Sequence, residues 1–199
     1  MVLLAIDTSS NTLSVALLTD SENFSIERQM LRGQGEALIP LIQELLDKAH
    51  SDVKSITGIA VAVGPGSFTG VRIAISTARA FGLALNVPVC GVTNLKAYAH
   101  HLNQPVTVAL DSKRGDFFVQ HFDEKGQALD EPHIETMEQL KDSQTPIVSD
   151  VSQIFIEAGL KTLNQPLSLA VCVGQIAQST TDNPLPATPL YLRQADVTV

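Results

Sequence analysis

The feature that most constrains this chain is a glycine-rich segment between an uncharged apolar run and a stretch of small and apolar residues. The segment reads Gly64-Pro65-Gly66-Ser67-Phe68-Thr69-Gly70-Val71-Arg72. The run at 59–63 predicts a buried strand, and residues 71–86 predict a helix that stops at Asn86, before Val87-Pro88. A loop in this position leaves backbone N–H groups at the positive end of a helix dipole, where an anion can bind.

Two interpretations of this loop are open. It is not a Walker A loop, because no Gly-Lys-Ser/Thr follows, and glycines at 64, 66 and 70 do not match the dinucleotide-binding fingerprint. The chemistry allows a phosphate cradle, but it favours a purely structural tight turn.

Length and composition limit the class of protein. The 199 residues can bury a sizeable core as one domain or as two small lobes. No apolar run approaches the length of about 18 residues that a membrane span needs, and no basic-then-apolar segment opens the chain. These features predict a soluble protein with no signal peptide or anchor. Cys90 and Cys172 lie in apolar surroundings and are expected to be buried thiols of a cytoplasmic protein.

The charge is acidic and unevenly distributed. A net charge of −8 disfavours a protein that grips nucleic acid unaided. Between residues 53 and 110 there is no Asp or Glu, and the basic residues there are Lys54, Arg72, Arg79 and Lys96. This central region is either mostly core, where charge is scarce, or a mildly basic contact surface.

Periodicity predicts a mixed α/β organisation. The first half reads as a three-stranded meander, a helix with Pro40 near its first turn, and then strand, helix and strand. A lobe boundary is expected at Asn103-Gln104-Pro105, after which a strand, an Asp turn and a strand echo the N-terminus and hint at a duplicated lobe. The expected strands are 2–6, 13–18, 24–29, 56–63, 87–92, 106–110 and 116–122, the expected helices are 36–50, 71–86 and 94–101, and shorter elements lie at 137–141, 152–163 and 169–179. The proline-rich tail from Asn183 to Pro189 is expected to be extended.

Four motifs in order resemble the signature of the TsaB (YeaZ) family. The most specific is the segment 64–72, followed by Ser76-Thr77-Ala78 and Gly82-Leu83-Ala84. The others are Leu4-Ala5-Ile6-Asp7-Thr8-Ser9, the segment 108–116 (Val-Ala-Leu-Asp-Ser-Lys-Arg-Gly-Asp), and Pro189-Leu190-Tyr191-Leu192-Arg193.

The resemblance implies an α/β, two-lobed actin/Hsp70/sugar-kinase-like (RNase H-like) fold with mixed sheets and a reduced second lobe. Residues 1–103 would form the N-terminal actin-like lobe, and residues 104–199 a smaller C-terminal lobe whose tail can pack back on the first. The implied function is that of a non-catalytic scaffold that pairs with TsaD in the complex forming N6-threonylcarbamoyladenosine beside the anticodon of ANN-decoding tRNAs. TsaE and a threonylcarbamoyl-adenylate synthase belong to the wider system.

Further expectations concern the other partners and the cofactors. The resemblance implies a homodimer when the chain is alone, tRNA contact through the complex, and no membrane. It implies that this chain requires no cofactor, that weak nucleotide binding is compatible with its fold, and that metal and ATP bind to partner subunits. The alternatives are a small ATPase or kinase of the actin-like superfamily and a metal-dependent, glycoprotease-like peptidase.

The phosphate turns of the superfamily are expected to be vestigial here. Asp7 and Asp111 each end a strand, but the first turn has no glycine and the second carries bulky residues, which favours turn-capping aspartates over a working Mg-ATP site. The residues assigned to these vestigial loops are Asp7, Thr8, Ser9, Gly64, Gly66, Ser67, Thr69 and Asp111.

No metal-dependent or hydrolytic chemistry is expected. The catalytic relative TsaD carries His-x-x-x-His after a Gly-Val strand end, and Asn94 and Tyr98 stand in those two places here. His50, His121 and His133 are scattered in sequence, while the adjacent His100 and His101 point apart on a helix. Ser67 is not in a nucleophile elbow and has no base near it in sequence.

A stripe of small residues on helix 71–86 offers a partner surface. It packs either on its own sheet or against another protein, since small side chains let two helices approach closely. With the neighbouring helix, the residues assigned to the interface are Leu38, Leu41, Gly70, Ala74, Ala78 and Gly82.

Overall fold

The computed structural model describes residues 1–180 and 184–193. Asn183 of the predicted tail and positions 181–182 and 194–199 of the predicted second lobe lie outside the described residues. The lobe boundary near residue 103 stays a prediction.

The first half of the chain builds a meander, two helix–strand units and a short helix. Apolar residues at 3.6-residue spacing place one face of each long helix on the sheet. The elements are β1 (Leu3–Asp7), β2 (Thr12–Leu18), β3 (Asn23–Gln29), α1 (Gln34–Lys48), β4 (Gly58–Ala62), α2 (Phe68–Leu85), β5 (Val89–Val92) and α3 (Asn94–Ala99).

The second half repeats this order, and its first two helices are much shorter than α1 and α2. Three strands are again followed by alternating helices and strands, and a final helix closes the series. The elements are β6 (Val106–Asp111), β7 (Asp116–Phe122), β8 (His133–Thr136), α4 (Met137–Leu140), β9 (Ile147–Val148), α5 (Ser152–Glu157), β10 (Thr162–Leu163), α6 (Leu169–Ser179) and β11 (Leu185–Pro186).

The two sheets have the same topology. The first runs β11-β5-β4-β1-β2-β3, and the second runs β10-β9-β6-β7-β8. In both, the meander is antiparallel, whereas the next two strands extend the sheet in parallel from its first strand: β4 pairs with β1 and β5 with β4, and β9 pairs with β6 and β10 with β9. The first sheet has one extra edge strand, β11, antiparallel to β5. This repeated topology agrees with the duplication that the two Asp turns indicated.

The first sheet is covered on both faces. Its larger side chains, among them Leu4 and Ile6, pack under α1 and α2, while the smaller Ala5, Ala16 and Ala60 lie under α6. Gly174 lets α6 approach closely, because a Cβ there would lie 2.4 Å from Leu18 Cδ1 and the Leu18 side chain would have to move. Burial on both faces explains why these strands read as continuous apolar runs.

Helices α3 and α6 lie between the two sheets. Leu95 and Ala99 of α3 join the core of the second sheet, and Ala97 joins the α6 side of the first. Gln165 ties this layer together, since its Nε2 donates to the carbonyls of Ala97, Tyr98 and His100.

Several predicted boundaries need correction. Helix α1 begins at Gln34, so Pro40 lies in its second turn; Pro40 is exposed, and water can bind the carbonyl that loses its donor. Helix α2 begins at Phe68 because Ser67 caps it, so three residues expected in the loop are helical. The expected element at 152–163 is a short helix and a strand separated by a turn at Gly159, whose φ is +78°.

Helix α2 is long and apolar enough to cross a membrane by length and composition alone. A core helix of a globular protein satisfies the same criterion. Here Val71, Ala74, Ile75 and Ala78 are buried in the core on the first sheet. Packing on the sheet accounts for the apolar face of α2.

Candidate functional site

The four sequence motifs, far apart along the chain, line one cleft. Its volume is about 1010 Å³. Each motif contributes lining residues, for example Ser9, Ser67, Asp111 and Tyr191. The cleft is therefore the place where a function specified by these motifs is expected to reside.

A buried polar network centred on Asp7 joins three elements beneath the cleft. Asp7 Oδ1 accepts from the backbone N–H of Ser9 at 3.0 Å and from its hydroxyl at 2.5 Å. Asn94 Nδ2 donates to Ser9 Oγ, and Asn94 Oδ1 accepts from Gly64 N–H at 2.8 Å. Burial raises the pKa of Asp7 to about 6, although hydrogen bonds from Ser9 and Asn94 oppose the shift. The network fixes the first turn against the glycine loop and the start of α3.

The glycines of the loop are required by the chain's own backbone. A Cβ on Gly66 would lie 2.6 Å from Ser9 O, and one on Gly70 would lie 1.9 Å from Thr8 O. Ser67 N–H donates to Ser9 O at 2.7 Å, and Ser67 Oγ accepts from Gly70 N–H at 3.2 Å. These glycines let the backbone of the loop lie close to the backbone of residues 8 and 9. This geometry supports the structural-turn interpretation of the loop.

The second turn is closed by its own side chains. Asp111 Oδ1 accepts from Lys113 N–H at 2.7 Å, and Lys113 Nζ lies 2.9 Å from Asp111 Oδ2. Asp7 binds the N–H two residues ahead in the same way. Both aspartates thus form the local turn expected of Asp at the end of a strand.

Residues near the end of the described chain close one side of the cleft. Arg72 Nε donates to Tyr191 Oη at 2.8 Å, and its guanidinium carbon lies 3.8 Å from the centre of the Phe68 ring. The Phe68 and Tyr191 rings stack at 5.5 Å. Arg193 Nη2 pairs with Asp116 Oδ2 at 2.5 Å, which links this segment to the second sheet. Sequence reasoning missed this cluster because nothing local connects residues 119 positions apart.

The six residues assigned to a partner interface are buried inside this chain, so the prediction of an outward-facing stripe is wrong. Ala74 and Ala78 are fully buried, and a Cβ on Gly82 would lie 2.2 Å from Val89 Cγ2. The stripe packs on the chain's own strands and first turn. The buried set is Leu38, Leu41, Gly70, Ala74, Ala78 and Gly82.

The histidines also depart from expectation. Helix α3 ends at Ala99, so His100 and His101 lie beyond it, and their rings are 3.9 Å apart. Burial lowers the pKa of His100 to about 4, and His101 adds to the shift. His121 and His133 are not scattered in space, because the β7–β8 pairing brings both beside Asp130. The register of β7 with β8 brings this pair together, and no local pattern in the sequence shows that register.

Comparison with known proteins identifies the chain's relatives. A family model described as "TsaD: tRNA N6-adenosine threonylcarbamoyltransferase" matches residues 29–168. The chain is 32% identical over 133 residues to the tRNA threonylcarbamoyladenosine biosynthesis protein TsaB of Escherichia coli, covering 63% of this chain and 58% of that protein. It is 31% identical over 126 residues to TsaB of Buchnera aphidicola subsp. Baizongia pistaciae, covering 60% and 57%. The aligned part thus spans less than two thirds of the length of these curated relatives.

Solved structures show the same fold. YeaZ from Pseudomonas aeruginosa superposes with a TM-score of 0.78 at 23% identity, covering 96% of this chain and 99% of that one. A second Pseudomonas aeruginosa structure, described as similar to peptidase YeaZ, gives a TM-score of 0.80 at 24% identity over the same shares. The α/β fold with two mixed sheets is confirmed as that of the solved YeaZ structures. With the family model covering more than half of its length and its relatives named as TsaB, the chain belongs to the TsaB (YeaZ) family.

Proposed function

We propose that this chain is a non-catalytic scaffold subunit of the cytoplasmic system that forms N6-threonylcarbamoyladenosine in tRNA. It pairs with a TsaD-type subunit that carries the metal and the transfer chemistry. A TsaE-type protein and a threonylcarbamoyl-adenylate synthase complete the system, and tRNA is reached through the complex. The names of the relatives support the pathway, and the geometry of the cleft supports the scaffold role.

Asn94 is the observation that carries the proposal. It stands where the resemblance places the first metal-binding histidine of the catalytic relative. Its side chain is 2% exposed, and both of its polar atoms are used within the chain, one by Gly64 and one by Ser9. A position that could hold a metal ligand is thus occupied by a group that fixes two loops. Tyr98, at the second position, is largely buried as well.

Three other polar groups in or beneath the cleft have structural tasks too. Asp7 and Asp111 each cap a turn, and Ser67 Oγ caps α2. The close backbone approaches at Gly66 and Gly70 are filled by residues 8 and 9 rather than left for phosphate oxygens. This arrangement supports weak nucleotide binding at most, and it disfavours the ATPase, kinase and peptidase alternatives.

The partner surface is proposed on the solvent side of α1 and α2. The buried stripe of α2 faces the sheet, so its opposite side is available. Leu83 is 86% exposed and Ile39 of α1 is 51% exposed, and both are large apolar side chains on that side. Covering exposed apolar groups is a typical driving force for pairing. The same surface would support self-association when the partner is absent.

Reconstitution tests the proposal. Purified TsaD, TsaE, synthase and unmodified tRNA are assayed with and without this chain, and the modified nucleoside is measured by mass spectrometry. We expect no product from this chain alone and a strong dependence of the full system on it. Product formed by the chain alone, or a full system that works equally well without it, contradicts the scaffold role. Calorimetric titration with Mg-ATP separates the kinase alternative, which requires tight binding to the isolated chain.

A further inference from the structure

Two histidines and an aspartate meet on the second sheet, outside the cleft. His121 lies on β7, His133 begins β8, and Asp130 precedes β8 in the connection between them. None of the three lines the cleft, so the scaffold role leaves this cluster without a task.

The nitrogen atoms of both imidazoles converge on one carboxylate oxygen. His121 Nδ1 lies 2.7 Å from Asp130 Oδ2, and His133 Nδ1 lies 3.5 Å from the same oxygen. One ligand atom from each of the three residues lies within 4.8 Å of the other two. We propose that His121, Asp130 and His133 bind one divalent transition-metal ion of the Zn²⁺ class, which clamps the connection between β7 and β8.

The distances fit the coordination of zinc with small adjustments. Bonds of about 2.0–2.1 Å to nitrogen and oxygen place tetrahedral ligands about 3.3 Å apart. Two separations here, 2.7 and 3.5 Å, bracket that value, and the third, between the two imidazoles, is no more than 4.8 Å. Two imidazoles and one carboxylate are a ligand set that suits zinc, and a fourth position stays open for water.

The surrounding groups orient the ligands. His133 Nε2 lies 2.9 Å from Glu135 Oε1, so the carboxylate can hold that nitrogen protonated and leave Nδ1 for the ion. Asp130 is fixed by the backbone N–H of His121, which donates to its Oδ1 at 2.8 Å, while Gln120 Nε2 donates to its carbonyl. Metal binding requires His133 Nδ1 to leave the carbonyl of Glu131, 2.9 Å away.

Access and charge also fit a cation. The side chains of His121, Asp130 and His133 are 37%, 32% and 38% exposed, so an ion can enter from solvent. With neutral imidazoles, Asp130 and Glu135 supply two negative charges beside the site. Helices α4 and α5, which follow this hairpin, are only 4 and 6 residues long, so a bound ion can add order where helical packing is limited.

Calorimetry with zinc sulfate on chelator-treated protein tests the site. The wild-type chain should bind one Zn²⁺ per molecule, and zinc should raise its melting temperature. His121→Gln and His133→Gln should each weaken binding at least tenfold, Glu135→Gln should weaken it less, and His50→Gln, at an exposed histidine elsewhere, should leave it unchanged. Absence of saturable binding to the folded wild-type protein, or binding that survives both glutamine variants, overturns the proposal.

A measurement on the wild-type protein guards against variants that fail to fold. Zinc should shift the imidazole ¹⁵N resonances of His121 and His133 and leave those of His50 in place. Co²⁺, used as a second probe, should give the absorption of a four-coordinate site. Zinc-induced shifts that fall on other histidines instead contradict the assignment.

Discussion

Gly70 lies against the main chain of Thr8. A Cβ at position 70 would be 1.9 Å from the carbonyl oxygen of Thr8, and the Thr8 hydroxyl donates to the carbonyl of Gly70 at 2.5 Å. Two motifs separated by about sixty residues are therefore parts of one packed junction. The glycine at 70 is explained by this junction rather than by a ligand.

Gly70→Ala should destabilise the chain severely. The added methyl collides with backbone, which cannot rotate away as a side chain can, so we expect a loss of about 3 kcal/mol or more in the free energy of unfolding. Urea denaturation measures it. Gly35→Ala is the matched control, because its Cβ would lie 3.6 Å from Ile73 Cδ1 in ordinary contact, and alanine favours the helix. Equal effects of the two substitutions would contradict the described junction.

Asp7 should make stability depend on pH. Its pKa is raised from 3.8 to about 6 in the folded chain, so the folded state holds the proton more tightly than the unfolded state. The contribution of Asp7 to the free energy of unfolding is therefore greatest below pH 3.8, and it is lost as the pH rises through 6. Asp7→Asn removes this dependence. The free energy of unfolding of the variant minus that of wild type should therefore increase by about 3 kcal/mol from pH 3.5 to pH 8. Denaturation across this pH range checks it, and parallel pH profiles would refute the buried-carboxyl account.

The two sides of α2 should respond differently to arginine. Ala78 is fully buried, so Ala78→Arg should unfold the chain or cost about 3 kcal/mol or more. Leu83 is 86% exposed, so Leu83→Arg should leave the melting temperature nearly unchanged. If the partner binds this side, Leu83→Arg weakens pairing with TsaD by at least about 2 kcal/mol, roughly thirtyfold in Kd. Normal affinity of the folded Leu83→Arg variant would place the interface elsewhere.

Ser67→Ala should show whether Ser67 serves only as the cap of α2 or takes part in the chemistry of tRNA modification. Loss of the Ser67 Oγ that accepts from Gly70 N–H should cost about 1 kcal/mol of stability. The rate of tRNA modification in the reconstituted system should stay near that of wild type at temperatures where the variant is folded. A hundredfold loss of rate, with folding and partner binding intact, would assign Ser67 a chemical role.

The sequence was sufficient to predict the elements whose pattern is local. Alternation of apolar and polar residues predicted the first meander, and a short element of unspecified type was predicted at Leu169–Ser179, which are the observed bounds of α6. The repeated Asp turns indicated the duplication that the two sheets share. Strands β8 to β11 were not predicted, because two to four residues of pairing leave no periodicity to detect.

The sequence could not show which way a helix face points or which residues far apart in the chain come into contact. A stripe of Gly and Ala can face a sheet or a partner, and only the positions of Thr8 and Val89 decide that it faces inward. Arg193 meets Asp116 across 77 residues, and no local signal pairs them. The His121–His133 pair depends on the register of β7 with β8, which follows from the full sheet.

The position of α6 has a consequence for synthesis of the chain. Leu3, Ala5 and Ala60 on the first sheet are buried under Leu169–Ser179, more than a hundred residues later than Ala60. At about 5–20 residues per second, the ribosome leaves this face bare for several seconds after β5 has emerged. During that interval the nascent first sheet is a surface that chaperones can bind. The first sheet therefore completes its packing only after α6 has been synthesised, and a chain truncated before Leu169 lacks the helix that covers this face.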